Sequence, residues 1–415
     1  MQHHEDESPS LTIGNRRIGP AFEPYIIAEI GVNHDGDPAR ALALTELALA
    51  SGADAVKFQY FSADLLMARP TLRLADGADA DGKGSGKRLA AYQAAAGETD
   101  PHAMLARLEL SLDVMAQCIE RIHVAGRHAM VTVFSQSLVL RAGKLPWDVY
   151  KTASPDIIHR PLLEAVARIG KPMIVSTGAA EFSEVQQALG WLDEQSLSQP
   201  SWSTPAHIRT RLALLHCVSS YPCAPQHAAV AGTAHLATLH PIVGYSDHTI
   251  EVDTGALAVR HGAVMLEKHI TDDRTRKGPD HSASLDGPAF ARYVQLAKAA
   301  AGSVDPDSSR DAADSRLGSR HKLVQPCEAD VRAVSRQSIV AIRNLPAGHV
   351  LSAIDLTFKR PGNGLAPFEV RDVIGQVLNS DVQADQPLTA ALFADLRPTT
   401  TRATSTSGST GVARV

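Results

Sequence analysis

The chain has 415 residues, 44% of them apolar, and a formal net charge of −5. That length supports a sizeable core and two domains, while the mild acidity excludes the basic face of a nucleic-acid binder and points to small ligands. Cys118, Cys217, Cys223 and Cys327 show no CxxC or metal-knuckle spacing and read as reduced thiols; a polar start from Met1 to Ser10 and no long apolar run give a cytoplasmic chain with no membrane partner.

Residues 1–20 are set aside as an N-terminal extension. From there short β-branched or aliphatic runs alternate with longer amphipathic stretches, the pattern of repeated βα units around a parallel sheet. The runs are Tyr25–Ile30, Ala55–Gln59, Ala129–Phe134, Val149–Ala153, Met173–Thr177, Leu212–Cys217, Ile242–Ser246 and Val264–His269. A doubly wound open sheet also alternates, but eight runs is the number of a (β/α)8 TIM barrel, assigned to residues 21–302. Between the first two runs, Ala41, Leu42, Leu44, Leu47 and Ala48 recur at helical steps over Pro38–Ser51, closed by Gly52. The Gly-, Asp- and Ala-rich stretch from Ser62 to Thr99 is too long for an ordinary βα loop and reads as a lid. Polar residues 303–335 form a linker, residues 336–396 a small β-rich module broken by Pro346-Ala347-Gly348 and Pro361-Gly362-Asn363-Gly364, and 397–415 a Thr/Ser/Gly tail expected to be disordered.

In such a barrel the chemistry lies where strands end, and here nearly every run ends in polar residues. Glu29 closes the first run, Lys57 and Gln59 the second, Thr132 and Ser135 the third, and Lys151 with Ser154 and Asp156 the fourth. Ser176, then His216, Ser219 and Tyr221, then Ser246 and His248, then Glu267 and His269 follow. A lone polar residue at a strand end usually just satisfies loop backbone; convergence from all eight ends is harder to explain that way. Lys57 and Lys151 interrupt apolar strands and are costly to bury without an anion, or without a structural carboxylate such as Glu29 or Glu267. The hydroxyls of Thr132, Ser154, Ser176 and Ser246 would complete an anion site. His248 and His269 end neighbouring strands about 5 Å apart, within reach of one divalent ion, with Asp247, Glu267, Asp280 and His281 nearby in sequence.

Taken in order, Ile27-Ala28-Glu29-Ile30-Gly31-Val32-Asn33-His34, Val56-Lys57-Phe58-Gln59, Ser246-Asp247-His248-Thr249, Leu266-Glu267-Lys268-His269 and Gly278-Pro279-Asp280-His281 resemble the N-acetylneuraminate (sialic acid) synthase family. Ala91-Tyr92-Gln93, Leu108-Glu109-Leu110-Ser111, Ser176-Thr177-Gly178, Leu215-His216-Cys217 and Ser220-Tyr221-Pro222 extend the match, and Lys359-Arg360-Pro361-Gly362-Asn363-Gly364 looks like the hallmark of that family's C-terminal antifreeze-like (SAF) domain. The resemblance runs from about Leu11 to Phe393. It implies condensation of phosphoenolpyruvate with an N-acylated sugar aldehyde and release of phosphate. It further implies phosphoenolpyruvate on Lys57, Thr132, Lys151, Ser154, Ser176, Ser219 and Ser246, Mn²⁺ or Mg²⁺ on His248 and His269, and sugar against Glu29, Gln59, Asp156, Tyr221 and Asp280. Glu29 or Asp156 would move the proton. The SAF domain would cap the partner's barrel in a domain-swapped homodimer, with Arg360 reaching the sugar's N-acyl group.

The chain departs from the common pattern of that family at Asp156, where Glu is frequent and a glycine often precedes it, at Ser219 for an Asn, and at Val133 for a Pro. These changes leave the reaction class standing and leave the sugar open between N-acetylmannosamine and a diacetamido-trideoxyhexose giving legionaminic or pseudaminic acid. Two readings from other classes are a non-catalytic sugar-binding protein and a metal-dependent hydrolase on the same barrel. The first would not need two buried lysines beside a histidine pair, and the second would want a third strong metal ligand.

Overall fold

A computed structural model describes residues 8–69, 89–197, 207–303, 313–394 and 396. Two three-residue strands, β1 (Leu11–Ile13) and β2 (Arg16–Ile18), form a hairpin. The eight expected runs follow as β3 (Tyr25–Gly31), β4 (Ala55–Tyr60), β5 (His128–Val133), β6 (Val149–Thr152), β7 (Met173–Ser176), β8 (Leu212–Cys217), β9 (Val243–Asp247) and β10 (Met265–His269). All pair in parallel with their sequence neighbours, and β10 returns to β3, so the sheet closes into a barrel with no edge. The predicted first helix is α1 (Pro38–Ala50): Pro38 starts it, and the Asp37 carboxylate caps it by accepting from the backbone N–H groups of Ala39 and Arg40.

Strand alternation explains where the polar residues go. Tyr25 and Ile27, Ala55, Met130, Val149, Ile174, Ala213, Leu215 and Met265 share one inner cluster at the floor of the barrel. Continuing each strand in the same two-residue phase reaches Glu29, Lys57, Thr132, Lys151, Ser176, Cys217 and Glu267. The inward face is thus apolar at the N-terminal end and polar at the C-terminal end. Leu11, Ile13 and Ile18 of the hairpin belong to the same floor cluster, so part of the segment taken as an extension is a plug for the barrel. The opposite phase, including Ile26, Ala28, Val56 and Val131, packs outward against the helices.

Residues 303–335 are more than a linker where they are described. Glu328 is fully buried, and α2 (Ala329–Ser335) presents Val331 and Ser335 to the barrel mouth. The C-terminal module holds its own apolar core, including Ile339, Leu345, Leu351, Leu378 and Leu388, around two strands, β11 (Ser338–Ala341) and β12 (Leu356–Lys359). Isolated bridges between loops, such as Leu345 with Val382 and Val350 with Val377, supply the rest of its β pairing. The centre of the expected lid, residues 70–88, and the expected disordered tail, 397–415, lie outside the described residues.

Candidate active site

One cavity fills the C-terminal mouth of the barrel, enclosing about 930 Å³ with the solvent at its entrance. Every residue expected to bind substrate or metal borders it except Asp156. Lys57 is in ion-pair contact with Glu29 and lies 3.5 Å from Glu267 Oε2, while Lys151 reaches Glu267 Oε1 at 3.2 Å. Both readings of the lysines therefore meet here: they pair with the two carboxylates, and they do so on the cavity wall. Although burial opposes ionisation, Lys151 and Lys57 hold the Glu267 carboxyl down to about 2. Burial raises Glu29 instead, against the pull of Lys57, and the Glu267 charge adds to the rise.

Hydroxyls gather on the same side. Lys57 Nζ donates to Thr132 Oγ1 at 3.1 Å, and Ser246 Oγ donates to Glu267 Oε1 at 2.9 Å. Ser154 Oγ accepts the Gly178 N–H at 3.1 Å and lies 3.1 Å from Cys217 Sγ, which is 3.5 Å from Ser176 Oγ. Ser219 Oγ is buried without a partner, though its backbone N–H donates to Glu328 at 2.7 Å. A Cβ at Gly178 would overlap Ser219 Oγ and fall 2.7 Å from Cys217 Sγ and 2.9 Å from Ser154 Oγ, which locates three of these groups around one point of backbone. The result is a cradle of cationic and hydroxyl donors suited to an anion's oxygens.

Across the cavity, the His248 and His269 rings lie 5.7 Å apart between centroids. His248 Nδ1 is 2.6 Å from the Val218 carbonyl and must donate to it, which leaves Nε2 as the lone-pair nitrogen. Burial pushes His248 down to about 4 and His269 well below the ordinary histidine range, and the closeness of His248 and Lys57 disfavours a charge on His269 further. His269 Nδ1 is buried without a hydrogen-bond partner, 3.5 Å from Asp280 Oδ2. Two neutral imidazoles with an orphaned ring nitrogen suit a cation. Among the described residues, however, no group of three His, Cys, Asp or Glu side chains converges as a closed metal site.

The remaining wall combines Gln59, whose Nε2 donates to Glu29 at 2.8 Å, Asp280, raised by burial to about 7, and Tyr221, whose ring packs at a tilt 4.2 Å from that of His248. Tyr92 and Gln93 also border the cavity, from a short helix late in the expected lid, and Tyr92 packs 4.8 Å from Tyr221. Both belong to a quoted motif, but no strand end marked them as site residues. Phe61, Leu66, Met104 and Phe134 make an apolar side. Arg360 faces it from the C-terminal module, 5.6 Å over Phe134, fixed by backbone bonds to Leu66 and Ala68 at 2.8 and 3.0 Å. In this structure the module closes over the barrel of its own chain.

Comparison with known proteins agrees with the residue-level picture. The NeuB family profile matches residues 44–305, and the SAF domain profile matches 336–394. The chain is 34% identical to the N,N'-diacetyllegionaminic acid synthase of Legionella pneumophila over 383 residues, covering 90% of this chain and 97% of the other. It is 28% identical to human N-acetylneuraminate-9-phosphate synthase over 377 residues, covering 90% and 93%. The crystal structure of the Bacillus subtilis spore coat polysaccharide biosynthesis protein SpsE superposes with a TM-score of 0.74 at 26% identity, covering 93% of this chain and 99% of that one.

Proposed function

The chain belongs to the NeuB family and carries a SAF domain after the barrel, and on that premise we propose that it is a nonulosonic acid synthase, a transferase that condenses phosphoenolpyruvate with an N-acyl hexosamine-type aldehyde and releases phosphate. The observation that carries this reading is the meeting, in one capped cavity, of two buried lysines with a hydroxyl cradle on one side and a neutral histidine pair on the other.

In this reading Lys57, Lys151, Thr132, Ser154, Ser176, Ser219 and Ser246 hold the carboxylate and phosphate of phosphoenolpyruvate. Gln59, Tyr221, Asp280 and Arg360 orient the sugar so that its carbonyl carbon faces C3 of the enol. His248 and His269 would hold Mn²⁺ or Mg²⁺, which supplies Lewis-acid polarisation of the aldehyde. The C3–carbonyl bond forms, water adds at C2, and the C2–O bond to phosphate breaks. Glu29 is the group best placed to carry a proton, because its raised carboxyl adjoins both Lys57 and Gln59. The SAF cap keeps bulk water from the enol and its products. Exchange of caps between two copies would reproduce the same contacts in trans, and a domain-swapped homodimer in the cytoplasm is part of the proposal; light scattering reads the mass directly.

A specific observation favours one sugar class. The apolar side made by Phe61, Leu66, Met104 and Phe134 suits methyl groups better than a hydroxymethyl or phosphate, as on a diacetamido-trideoxyhexose, the acceptor for a legionaminic-type product. The test is phosphate release from phosphoenolpyruvate with Mn²⁺ and a panel of N-acetylmannosamine, its 6-phosphate and diacetamido-trideoxyhexoses. Sugar-dependent release is expected, fastest with the last. Silence across the panel overturns the synthase and leaves the sugar-binding alternative.

A further inference from the structure

Asp156 stands apart from the other predicted residues: it is fully buried just beyond β6 and does not border the cavity. What it meets is the cap. Gln337, itself only 2% exposed, donates from Nε2 to Asp156 Oδ1 at 2.9 Å and to the Phe134 backbone carbonyl at 2.9 Å. One amide nitrogen therefore uses both its protons on the two mouth loops that follow β5 and β6. Among the described residues, Gln337 Oε1 and Asp156 Oδ2 are buried without hydrogen-bond partners.

The register of the cap's two strands gives the contact its meaning. Ser338 pairs with Lys359 at the end of the β11–β12 ladder, and the next step places Gln337 opposite Arg360. The clamp and the guanidinium are thus cross-strand neighbours at one end of one small sheet. Arg360's backbone is held on its other edge by Leu66 and Ala68, while its side chain is less anchored, since its Nε is buried without a hydrogen-bond partner among the described residues; the clamp at Gln337 secures the opposite strand. We infer that Gln337 is a positioning residue for the sugar site: by clamping Asp156 and the Phe134 carbonyl, it fixes the end of the cap sheet on which Arg360 stands and so aims that guanidinium into the sugar half of the cavity. In this arrangement Asp156 anchors the cap to the barrel through Gln337.

The groups that face Asp156 are Gln337 and Arg360 from the cap and Lys151 from β6. Burial raises its carboxyl to about 7 despite both cations. A second carboxyl placed opposite it would therefore repel when both are ionised and share a proton when one is not.

The kinetic readout rests on the synthase reading, so the experiment carries an arm that needs no substrate. Gln337→Leu, which keeps volume and removes the amide, is expected to raise KM for the sugar about 10-fold while KM for phosphoenolpyruvate stays within about 2-fold. Asp156→Leu should give the same loss, and the double variant little more. Gln337→Glu should be worse than Gln337→Leu near pH 8 and recover, relative to wild type at each pH, as acidification lets the facing carboxyls share a proton; a packing defect would show no such recovery. Amide hydrogen exchange of 338–341 should quicken in Gln337→Leu without any ligand. An unchanged sugar KM, equal damage to both substrates, or unchanged exchange overturns the inference. If wild type releases no phosphate with any sugar, the function reading fails alone, and exchange still decides the clamp. Should Gln337→Leu not fold, Gln337→Asn, one methylene too short for both contacts, is read in the same way.

Discussion

Gly178 offers a direct test of the anion cradle, because the substitution that disturbs it is a single methyl group. An alanine Cβ there would overlap Ser219 Oγ and approach Cys217 Sγ to 2.7 Å and Ser154 Oγ to 2.9 Å. Gly178 is not in the left-handed region, so the cost is steric and not conformational. All three neighbours are ends of short side chains, and the cheapest relief is to rotate them away, which removes the cradle's donors. Overpacking of this kind costs about 1–3 kcal/mol. If most of that falls on ligand binding, KM for phosphoenolpyruvate rises about 5- to 100-fold, at about 1.4 kcal/mol per decade. KM for the sugar should move far less. Gly190→Ala is the control: nothing lies within 4 Å of its added Cβ, and it sits inside the helix Phe182–Leu197, where alanine is the better residue. Steady-state kinetics in each substrate and a thermal melt for both variants complete the assay. A Gly178→Ala enzyme with unaltered affinity for phosphoenolpyruvate would refute the assignment of Ser154 and Ser219 to that ligand.

Other perturbations separate the remaining roles. His248→Ala should abolish turnover together with metal retention, measured as bound Mn²⁺ after gel filtration; activity in the metal-stripped variant would remove the histidine pair from the mechanism. Glu29→Gln should keep phosphoenolpyruvate binding, since it removes a negative neighbour of Lys57, and lose at least about 100-fold in kcat if Glu29 carries the proton. Asp156→Asn tests the buried carboxyl through stability. A carboxyl raised from about 4 in the unfolded chain to about 7 in the fold binds its proton more tightly when folded, so its contribution is greatest below the lower value and is lost as pH climbs through the higher one. The asparagine variant, which cannot ionise but still accepts from Gln337, should show a flatter fall in Tm between those limits than wild type; parallel curves would contradict the shift.

The barrel was legible because each strand carries its own local signal. The eight runs appear within one or two residues of their observed limits, and two-residue alternation alone sends Glu29, Lys57, Lys151 and Glu267 inward at the mouth. What stayed hidden lacks such a signal. Leu11–Ile13 and Arg16–Ile18 are too short to show a period, so a floor plug read as an extension. Tyr92 and Val331 reach the cavity from segments judged by composition as lid and linker. Gln337 meets Asp156 across 181 residues, and nothing around it in sequence marks that contact. Asp156 sits in the short helical turn Ser154–Ile158, where it accepts from Gln337 of the cap, while Ser154 of the same turn borders the cavity.

The charges of the mouth explain why burial matters to the chemistry. With both carboxylates ionised, Glu29 and Glu267 would offset Lys57 and Lys151, and a doubly anionic ligand would meet no net attraction. The two acids differ in environment. Glu267 lies between both lysines and accepts from Ser246, which keeps it ionised and holds the two amines side by side. Glu29 adjoins Lys57, faces the Glu267 charge and pays the desolvation of a wholly buried group, and these raise its carboxyl where Glu267 is held down, so on the proposed function it is the one predicted to take up a proton when an anion binds. Protonation of Glu29 leaves one lysine charge uncompensated at the cradle and creates an acid beside Gln59, on the side assigned to the sugar. On the proposed function, anion binding and the loading of a proton donor would be one electrostatic event, and phosphoenolpyruvate is predicted to bind ahead of the sugar; equal affinity for the sugar with and without phosphoenolpyruvate would contradict this.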